Sequence, residues 1–550
     1  MHIPKALGLA LYLPLSEALR SSGNGALDKL QISQMAAKKV AIIGAGAGGS
    51  SAAYYLRKNA DEAGIKTNIT VFESSSHVGG RSTTVNAWSD PNTPIELGAS
   101  IFVEVNHILV SAARDFNLST SSHSRPHVSG QPELGIWNGE EFILTTGAEN
   151  GWWDKAKLLW RYGWAPIKTN SLMKDTVGKF LKMYEEPIFP FKSLSDTAEE
   201  LGLTEITAST GEQFLKEKGV GELFAREVVQ ASTRVNYASN LGLIHGLETM
   251  VCMATSGAMS IANGNWQIFS HMLKSSSSTL HLNATVKKIS KQPNSTYLLT
   301  TSSFSASDSP QTFDTVILAA PLQFSNLVID PAPKHVPDQI PYVKLHVTLF
   351  ASPHKLSPLA FNLAPEKSVP QYVLTTLPPG ENYGSDPNGV GTPGFFSISI
   401  VGEGLNPHTS PTNRPEYIYK IFSPKRIDEG FLSRVLGVDV PEGESTDGAV
   451  SWIYRKVWHS YPYEYPRVTF DEIKLDDGLF YTSGIESFIS TMETSALMGK
   501  NVARLVVDEW KAGQKAGSEE ASESLKVQKE GEWEYKGVNG EEQKPLKAKL

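Results

Sequence analysis

The stretch Val40–Lys58, VAIIGAGAGGSSAAYYLRK, constrains the fold more than any other part of the chain. Four apolar residues lead into Gly44-x-Gly46-x-x-Gly49, and an Ala- and Leu-bearing helical pattern follows. Gly44 permits a tight turn, Gly46 lets backbone approach a pyrophosphate, and Gly49 allows close helix–strand packing. The helix opening near Gly48 offers unpaired N–H groups and a positive dipole end to the phosphates. Asn68–Glu73 (NITVFE) reads as a second buried strand. Strand, turn, helix and strand make a right-handed βαβ unit. A glycine turn alone is weak evidence of a nucleotide. Glu73 at the end of the second strand strengthens it, since a carboxylate there accepts hydrogen bonds from ribose hydroxyls.

The same carboxylate repels a 2′-phosphate and so speaks against NADP. His77-Val78-Gly79-Gly80-Arg81 supplies a close backbone approach and a cation near the pyrophosphate, which flavoproteins of the amine-oxidase type use. Ile95–Ser100 (IELGAS) places Gly98, Ala99 and Ser100 where small residues can pack against a flavin ring. From the far end of the chain, Gly484-Ile485-Glu486 stands at a strand-to-helix junction, with Glu486 able to reach the ribityl chain. Thr494, Ser495 and Ala496 fall in the first turns of the helix that follows, whose N–H groups can face the flavin pyrimidine. Backbone around Val286 can bracket the adenine, although an ordinary core strand reads the same way. The constellation points to FAD.

The net charge of −8 gives no basic field for a nucleic acid partner. One cysteine, Cys252 in TMVCMA, rules out an intramolecular disulfide and a Cys-rich metal site, and reads as a buried, inert thiol. No metal is expected. Lys5, the apolar run Ala6–Leu15 and small residues at Ser16 and Ala18 have the layout of a secretory signal peptide cleaved after Ala18, too short to span a bilayer. Sequons at Asn117, Asn283 and Asn294 fit that route; a fourth, Asn68, adjoins the second strand and is not expected to be glycosylated. Contact with a membrane surface is left open. Residues 511–550, rich in Lys, Glu, Gly and Ser, read as a disordered charged tail.

Beyond these residues the chain resembles the prenylcysteine oxidase (prenylcysteine lyase) family. The resemblance is carried by VAIIGAGAGGSSAAYYLRK, HVGGR, IWNGEEF at 136–142, KLLWRYGW at 157–164, TRVNYASN at 233–240, GNWQIF at 264–269 and LFYTSGIESFISTMETSALMGKNVA at 479–503. It covers about Lys38 to Trp510 and leaves the charged tail without a counterpart. The resemblance implies an α/β fold, with a Rossmann-type FAD-binding domain of the amine-oxidase-like class interleaved with a mixed sheet and helical substrate domain. Residues 38–110, 280–325 and 478–510 would form the first, and 111–279 with 326–477 the second, after a signal peptide at 1–18 and a linker at 19–37. It also implies oxidative cleavage of farnesyl- or geranylgeranyl-cysteine with O2 and water, giving cysteine, a prenyl aldehyde and hydrogen peroxide. The implied location is the secretory pathway, a lysosome or vacuole, or the exterior.

On the substrate side the residues leave alternatives open. The aromatic segments Trp152–Trp164 and Phe180–Phe191 could line a prenyl channel or be core. Arg234, Asn106 and His107 are candidates for the polar groups of the cysteine, and Asn236, Tyr237 and His459 for the catalytic centre; each also has an ordinary structural reading. An amine oxidase on the same scaffold would call for a lysine near the flavin, and no lysine lies in a motif that marks it. A flavin- or lipid-binding protein without turnover is the third reading.

Overall fold

A computed structural model describes residues 36–122, 131–147, 152–302, 311–381, 389–409, 413–443 and 448–536. The expected signal peptide lies outside them. The strand β1 (Lys38–Ile43), the helix α1 (Ala47–Glu62) and the strand β2 (Thr67–Phe72) form the βαβ unit. β1 and β2 pair in parallel with Ile42 opposite Val71, and β1 pairs on its other side with Thr315–Leu318. Leu479–Tyr481 and Thr279–His281 extend the parallel run, and Lys474–Asp476 closes one edge antiparallel, giving a six-stranded sheet. Both faces of this sheet are covered, which is why β1 reads as a continuous apolar run; Val40, Ala41 and Ile42 have no solvent exposure.

The C-terminal helix starts at Met492, where Thr491 Oγ1 accepts the Thr494 N–H at 3.1 Å as an N-cap. It lies against α1 at backbone distance. A Cβ on Gly499 would stand 2.2 Å from the Gly48 carbonyl oxygen and 2.9 Å from the Ala52 nitrogen. Ser51 Oγ donates to the Ala496 carbonyl at 2.6 Å across the same seam. The helix continues to Lys536, so residues 511–536 are helical where the composition suggested a disordered tail; once nucleated, a helix propagates through Lys-, Glu- and Ala-bearing sequence.

A seven-stranded sheet forms the second layer, in the order Trp452–Pro462, Tyr342–Ser352, Arg414–Ser423, Ser397–Asn406, Tyr372–Thr375, Leu134–Trp137 and Phe142–Thr146. A four-stranded sheet containing Val286–Lys291 packs on one face of the parallel sheet, sharing a core with Ala41, Phe72 and Val316. Helices fill most of 152–275, and their buried side chains share one core with α1 and the C-terminal helix. Phe180, Tyr184 and Phe191 belong to that core. Trp160 and Trp164, by contrast, are 91% and 74% exposed and form neither core nor channel wall. Asn117, Asn283 and Asn294 are all exposed, as is Asn68, whose side chain points to solvent from the start of β2.

Gly499→Ala should destabilise the fold by roughly 1–3 kcal/mol, because the added methyl overpacks a backbone contact. Urea unfolding measures it, and an unchanged midpoint would show that the two helices separate without cost.

Candidate functional site

The crevice lies at the carboxyl ends of the parallel strands, where open α/β sheets bind ligands. Gly44 has φ +110°, and a Cβ there would stand 2.7 Å from the Ala319 carbonyl oxygen, so the turn after β1 admits only glycine. The first turn of α1 has no side-chain cap, which leaves its N–H groups facing the crevice. Opposite them Gly80, at φ +59°, brings its backbone up to Gly46: a Cβ on Gly80 would stand 3.3 Å from the Gly46 Cα. Side chains at either position would occupy the space that an approaching pyrophosphate needs. The Gly79 N–H donates to the Ala45 carbonyl at 2.9 Å and ties the two loops together.

Glu73 is buried at the end of β2. Its Oε2 accepts the Ala45 N–H and its Oε1 the Ser75 N–H, both at 2.8 Å. Held between two backbone donors, the carboxylate keeps lone pairs for ribose hydroxyls. The Glu73 and Ser75 carbonyls accept the Ala284 and Asn283 N–H groups at 2.8 and 2.9 Å, so the segment entering Val286 stands beside this end of the crevice. The Val286 side chain itself is core.

At the other end Arg81 links three parts of the chain. Its Nη2 meets Glu486 Oε1 at 2.7 Å, its Nη1 donates to the Ser460 carbonyl at 2.7 Å, and Tyr342 Oη donates to Glu486 Oε2 at 3.1 Å. Each Glu486 oxygen thus accepts one protein hydrogen bond and keeps a lone pair for a ligand hydroxyl. Gly484 precedes it in a 3-10 turn, with Asp471 Cβ 3.0 Å from where a Cβ would sit.

The Gly98–Ser100 shelf is gripped from behind. A Cβ on Gly98 would strike the Arg81 carbonyl oxygen at 2.4 Å and the Trp458 ring at 2.8 Å. Asn265 donates its backbone N–H to Glu96 Oε1 at 2.6 Å and its Nδ2 to the Ala99 carbonyl at 3.0 Å. Lys420, buried in the large sheet, donates its Nζ to Ser100 Oγ at 2.9 Å and to the Glu96 carbonyl at 3.0 Å. Burial pushes the Lys420 ammonium below, and the Glu96 carboxyl above, their ordinary ranges. Neither residue was singled out in the sequence: Lys420 sits in an alternating strand pattern that only the fold turns inward. Asn265 lies in GNWQIF, a family segment that had no assigned role.

A second buried polar group lies under the loop preceding the C-terminal helix. Tyr237 Oη donates to the Ser490 carbonyl at 3.0 Å, and its ring meets Tyr461 edge to face at 5.0 Å. Glu248 accepts the Ser490 N–H at 3.2 Å, while His245 Nδ1 accepts the Glu248 N–H at 3.1 Å and His245 Nε2 stands 3.5 Å from Glu464 Oε2. Desolvation raises Glu464 and Glu248 and lowers His245, so the group is built to be uncharged. Burial also raises the Cys252 thiol, consistent with an inert side chain. Among the described residues no group of His, Cys, Asp and Glu could hold a metal ion.

The other candidates are placed elsewhere. Arg234 is completely buried and spends its donors on Thr375 Oγ1, Asn240 Oδ1 and the Gly389 and Val390 carbonyls, so it clamps the helix to the large sheet and has no hand free for a substrate. Asn236 is exposed and donates to the Ser232 carbonyl. Asn106 accepts the Val103 N–H and closes a turn, and His107 packs on Tyr184 at 5.0 Å. His459 is exposed and stacked on Phe324 at 4.4 Å.

A family profile described as "Prenylcysteine lyase" matches residues 146–519, and one described as "NAD(P)-binding Rossmann-like domain" matches 42–113. The chain belongs to the prenylcysteine lyase family. It is 29% identical to Farnesylcysteine lyase of Arabidopsis thaliana over 491 residues, 85% of this chain and 88% of that one. With Prenylcysteine oxidase 1 of Homo sapiens the identity is 27%, covering 86% and 89%. Among solved structures, a putrescine oxidase triple mutant superposes with a TM-score of 0.53 at 14% identity, covering 86% and 99%. Cyclohexylamine oxidase from Brevibacterium oxydans gives 0.51 at 16%, covering 86% and 100%. At these identities the likeness establishes the interleaved Rossmann fold.

Buried carboxyl groups make the stability of this chain depend on pH. Glu493, capping Ile108 and Leu109 and bonded to Tyr184, is raised to about 7 by burial, in the same direction as Glu96, Glu248 and Glu464. Between its unfolded value and about 7 such a group binds a proton in the folded chain and loses it in the unfolded one, so stability falls as pH rises through that window. His245, whose folded value is lowered, opposes them with one proton. The thermal midpoint should therefore be higher near pH 5.5 than near pH 7.5, and Glu493→Gln should flatten the dependence; a midpoint that rises across this range would contradict the assignment. Separately, Lys420→Met removes two charge-assisted bonds from the shelf and should weaken retention of FAD by roughly tenfold, read as fluorescence of released flavin.

Proposed function

We propose that this chain is an FAD-dependent oxidase that cleaves the thioether of prenylcysteines, consuming O2 and water and releasing cysteine, a prenyl aldehyde and hydrogen peroxide. The observation that carries the reading is the union of two parts in one chain. The crevice has a glycine cradle, an uncapped helix N-terminus and a buried Glu73, which suit a dinucleotide. The matched family segment 146–519 covers the helices and large sheet around it. FAD, when bound, would supply a hydride acceptor for the carbon between sulfur and the isoprenoid, where both neighbours stabilise an electron-poor centre. Water adds there, and the adduct divides into aldehyde and thiol.

This chain's residues hold, orient and keep the reaction dry. The first turn of α1 and the Gly46–Gly80 cradle would bind the pyrophosphate, Glu73 the ribose, and Arg81, fixed by Glu486, the adjoining segment. Lys420 and Asn265 hold the Gly98–Ser100 shelf in place. Cys252 takes no part, since a buried thiol with a raised pKa is a poor nucleophile. The buried carboxyls suit a protein working in an acidic compartment, and the exposed Asn117, Asn283 and Asn294 suit passage through the secretory route. The physiological role we infer is catabolism of prenylated proteins.

Incubation of the purified yellow protein with farnesylcysteine under air should give peroxide, farnesal and free cysteine in equal amounts, with no peroxide from spermine or benzylamine. Peroxide from the amines alone would replace this reading by an amine oxidase, and a colourless protein would remove both.

A further inference from the structure

Trp160 and Trp164 are the two most exposed large apolar side chains among the described residues, and they are not isolated. They flank the turn at Gly163 (φ +57°) between the helices Trp152–Tyr162 and Ala165–Leu181. Leu159 is 45% and Ile167 54% exposed on the same two helices. The Lys168 Nζ bond to the Gly219 carbonyl, and Gly221 beside Ala165, bring up the turn that carries Leu223, itself 39% exposed. Scattered exposed apolar residues need no explanation, but two near-naked tryptophans with three aliphatic neighbours do.

We propose that the corner formed by Leu159, Trp160, Trp164, Ile167 and Leu223 docks the protein onto an anionic phospholipid surface. Two features select this occupant over a protein partner. Tryptophan is the residue that favours the headgroup boundary, with its ring in the acyl edge and its N–H in water. The charge is complementary as well. Between residues 157 and 182 the chain carries Lys157, Arg161, Lys168, Lys174, Lys179 and Lys182 against Asp175, and around Leu223 Lys216 and Lys218 balance Glu217 and Glu222, in a protein whose net charge is −8. Glu227 neutralises Arg161 at 2.9 Å and Asp175 faces Lys179 at 3.4 Å, which leaves Lys168 and Lys174 exposed at the border of the corner. Basic residues fringing an aromatic cluster are the pattern of interfacial binding. No helix among the described residues is long and apolar enough to cross a membrane, so the contact would be with the surface alone.

The corner is joined by a helix to the loop that precedes the C-terminal helix. Arg161 and Tyr162 both bond Glu227, and the helical run from there reaches Tyr237, whose hydroxyl meets the Ser490 carbonyl. Ten residues of helix span about 15 Å. The inference does not depend on the substrate reading, because its test contains no substrate.

The full-length FAD-loaded protein is mixed with vesicles of phosphatidylcholine, with and without phosphatidylserine, and floated on a density gradient. The wild-type chain should float with the phosphatidylserine vesicles and shift its tryptophan emission to shorter wavelength, and added salt should weaken the binding. Trp160→Ser with Trp164→Ser should reduce partitioning by roughly tenfold or more, at an unchanged thermal midpoint. Should that variant fail to fold, quenching of the wild-type tryptophans by brominated lipid gives the same answer, and Lys168→Glu with Lys174→Glu should weaken flotation. Wild-type protein that stays off the vesicles, a serine variant that binds as well as wild type, or a dimer in solution that the serine variant abolishes would each overturn the proposal.

Discussion

The architecture depends on a backbone contact between two helices that are more than 400 residues apart in sequence. The first turn of α1 and the second turn of the C-terminal helix touch at Gly48 and Gly499 with no side chain between them. That approach puts both helix N-termini on one crevice, above the ends of β1 and of Leu479–Tyr481, which are joined in the sheet through Thr315–Leu318. The uncapped first turn of α1 faces this space, beside the helix start that Thr491 caps. Every loop that contributes to the site is hung from these strand ends, so a shift in the seam would displace all of them together.

Electrostatics then lock the layers. Arg81 leaves the loop after β2 and reaches Glu486 beside the C-terminal helix and the Ser460 carbonyl on the edge strand of the large sheet. Such a pair costs desolvation, and the additional hydrogen bond from Tyr342 offsets part of it. Its value is in specificity of placement, since among the described residues Arg81 is the one guanidinium paired with Glu486. Lys420 does the same from the middle of the large sheet, fastening the Gly98–Ser100 shelf. Glu248 and Glu493 are met by neutral donors and Glu464 by the neutral His245 at 3.5 Å, and desolvation raises all three carboxyls.

The nucleotide half of the site was legible because its chemistry is local. Gly44, Gly46 and Gly49 act within one turn, and Glu73 and Gly80 follow at the distances that the next strand and loop impose. The substrate half was not, because burial decides it. Arg234 looked available for a carboxylate, yet the fold buries it against Thr375 and Asn240. Trp160 and Trp164 read as channel wall or core and stand in solvent, because the face of their helices that packs inward is the one bearing Tyr162, Ala165 and Thr169. Residues 511–536 looked disordered from composition, and a helix already nucleated on α1 carries through them.

What the sequence determined by itself was the βαβ unit, the dinucleotide cradle and the family, since each rests on residue types at short, fixed spacings. Tertiary structure decided which charges are paired, which aromatics are exposed and which lysine backs the shelf. Those outcomes depend on contacts between residues hundreds of positions apart, such as Lys420 with Ser100 and Arg81 with Glu486. Spacing along a chain carries no information about desolvation, and it is desolvation that shifts Lys420 and Glu96 behind the shelf.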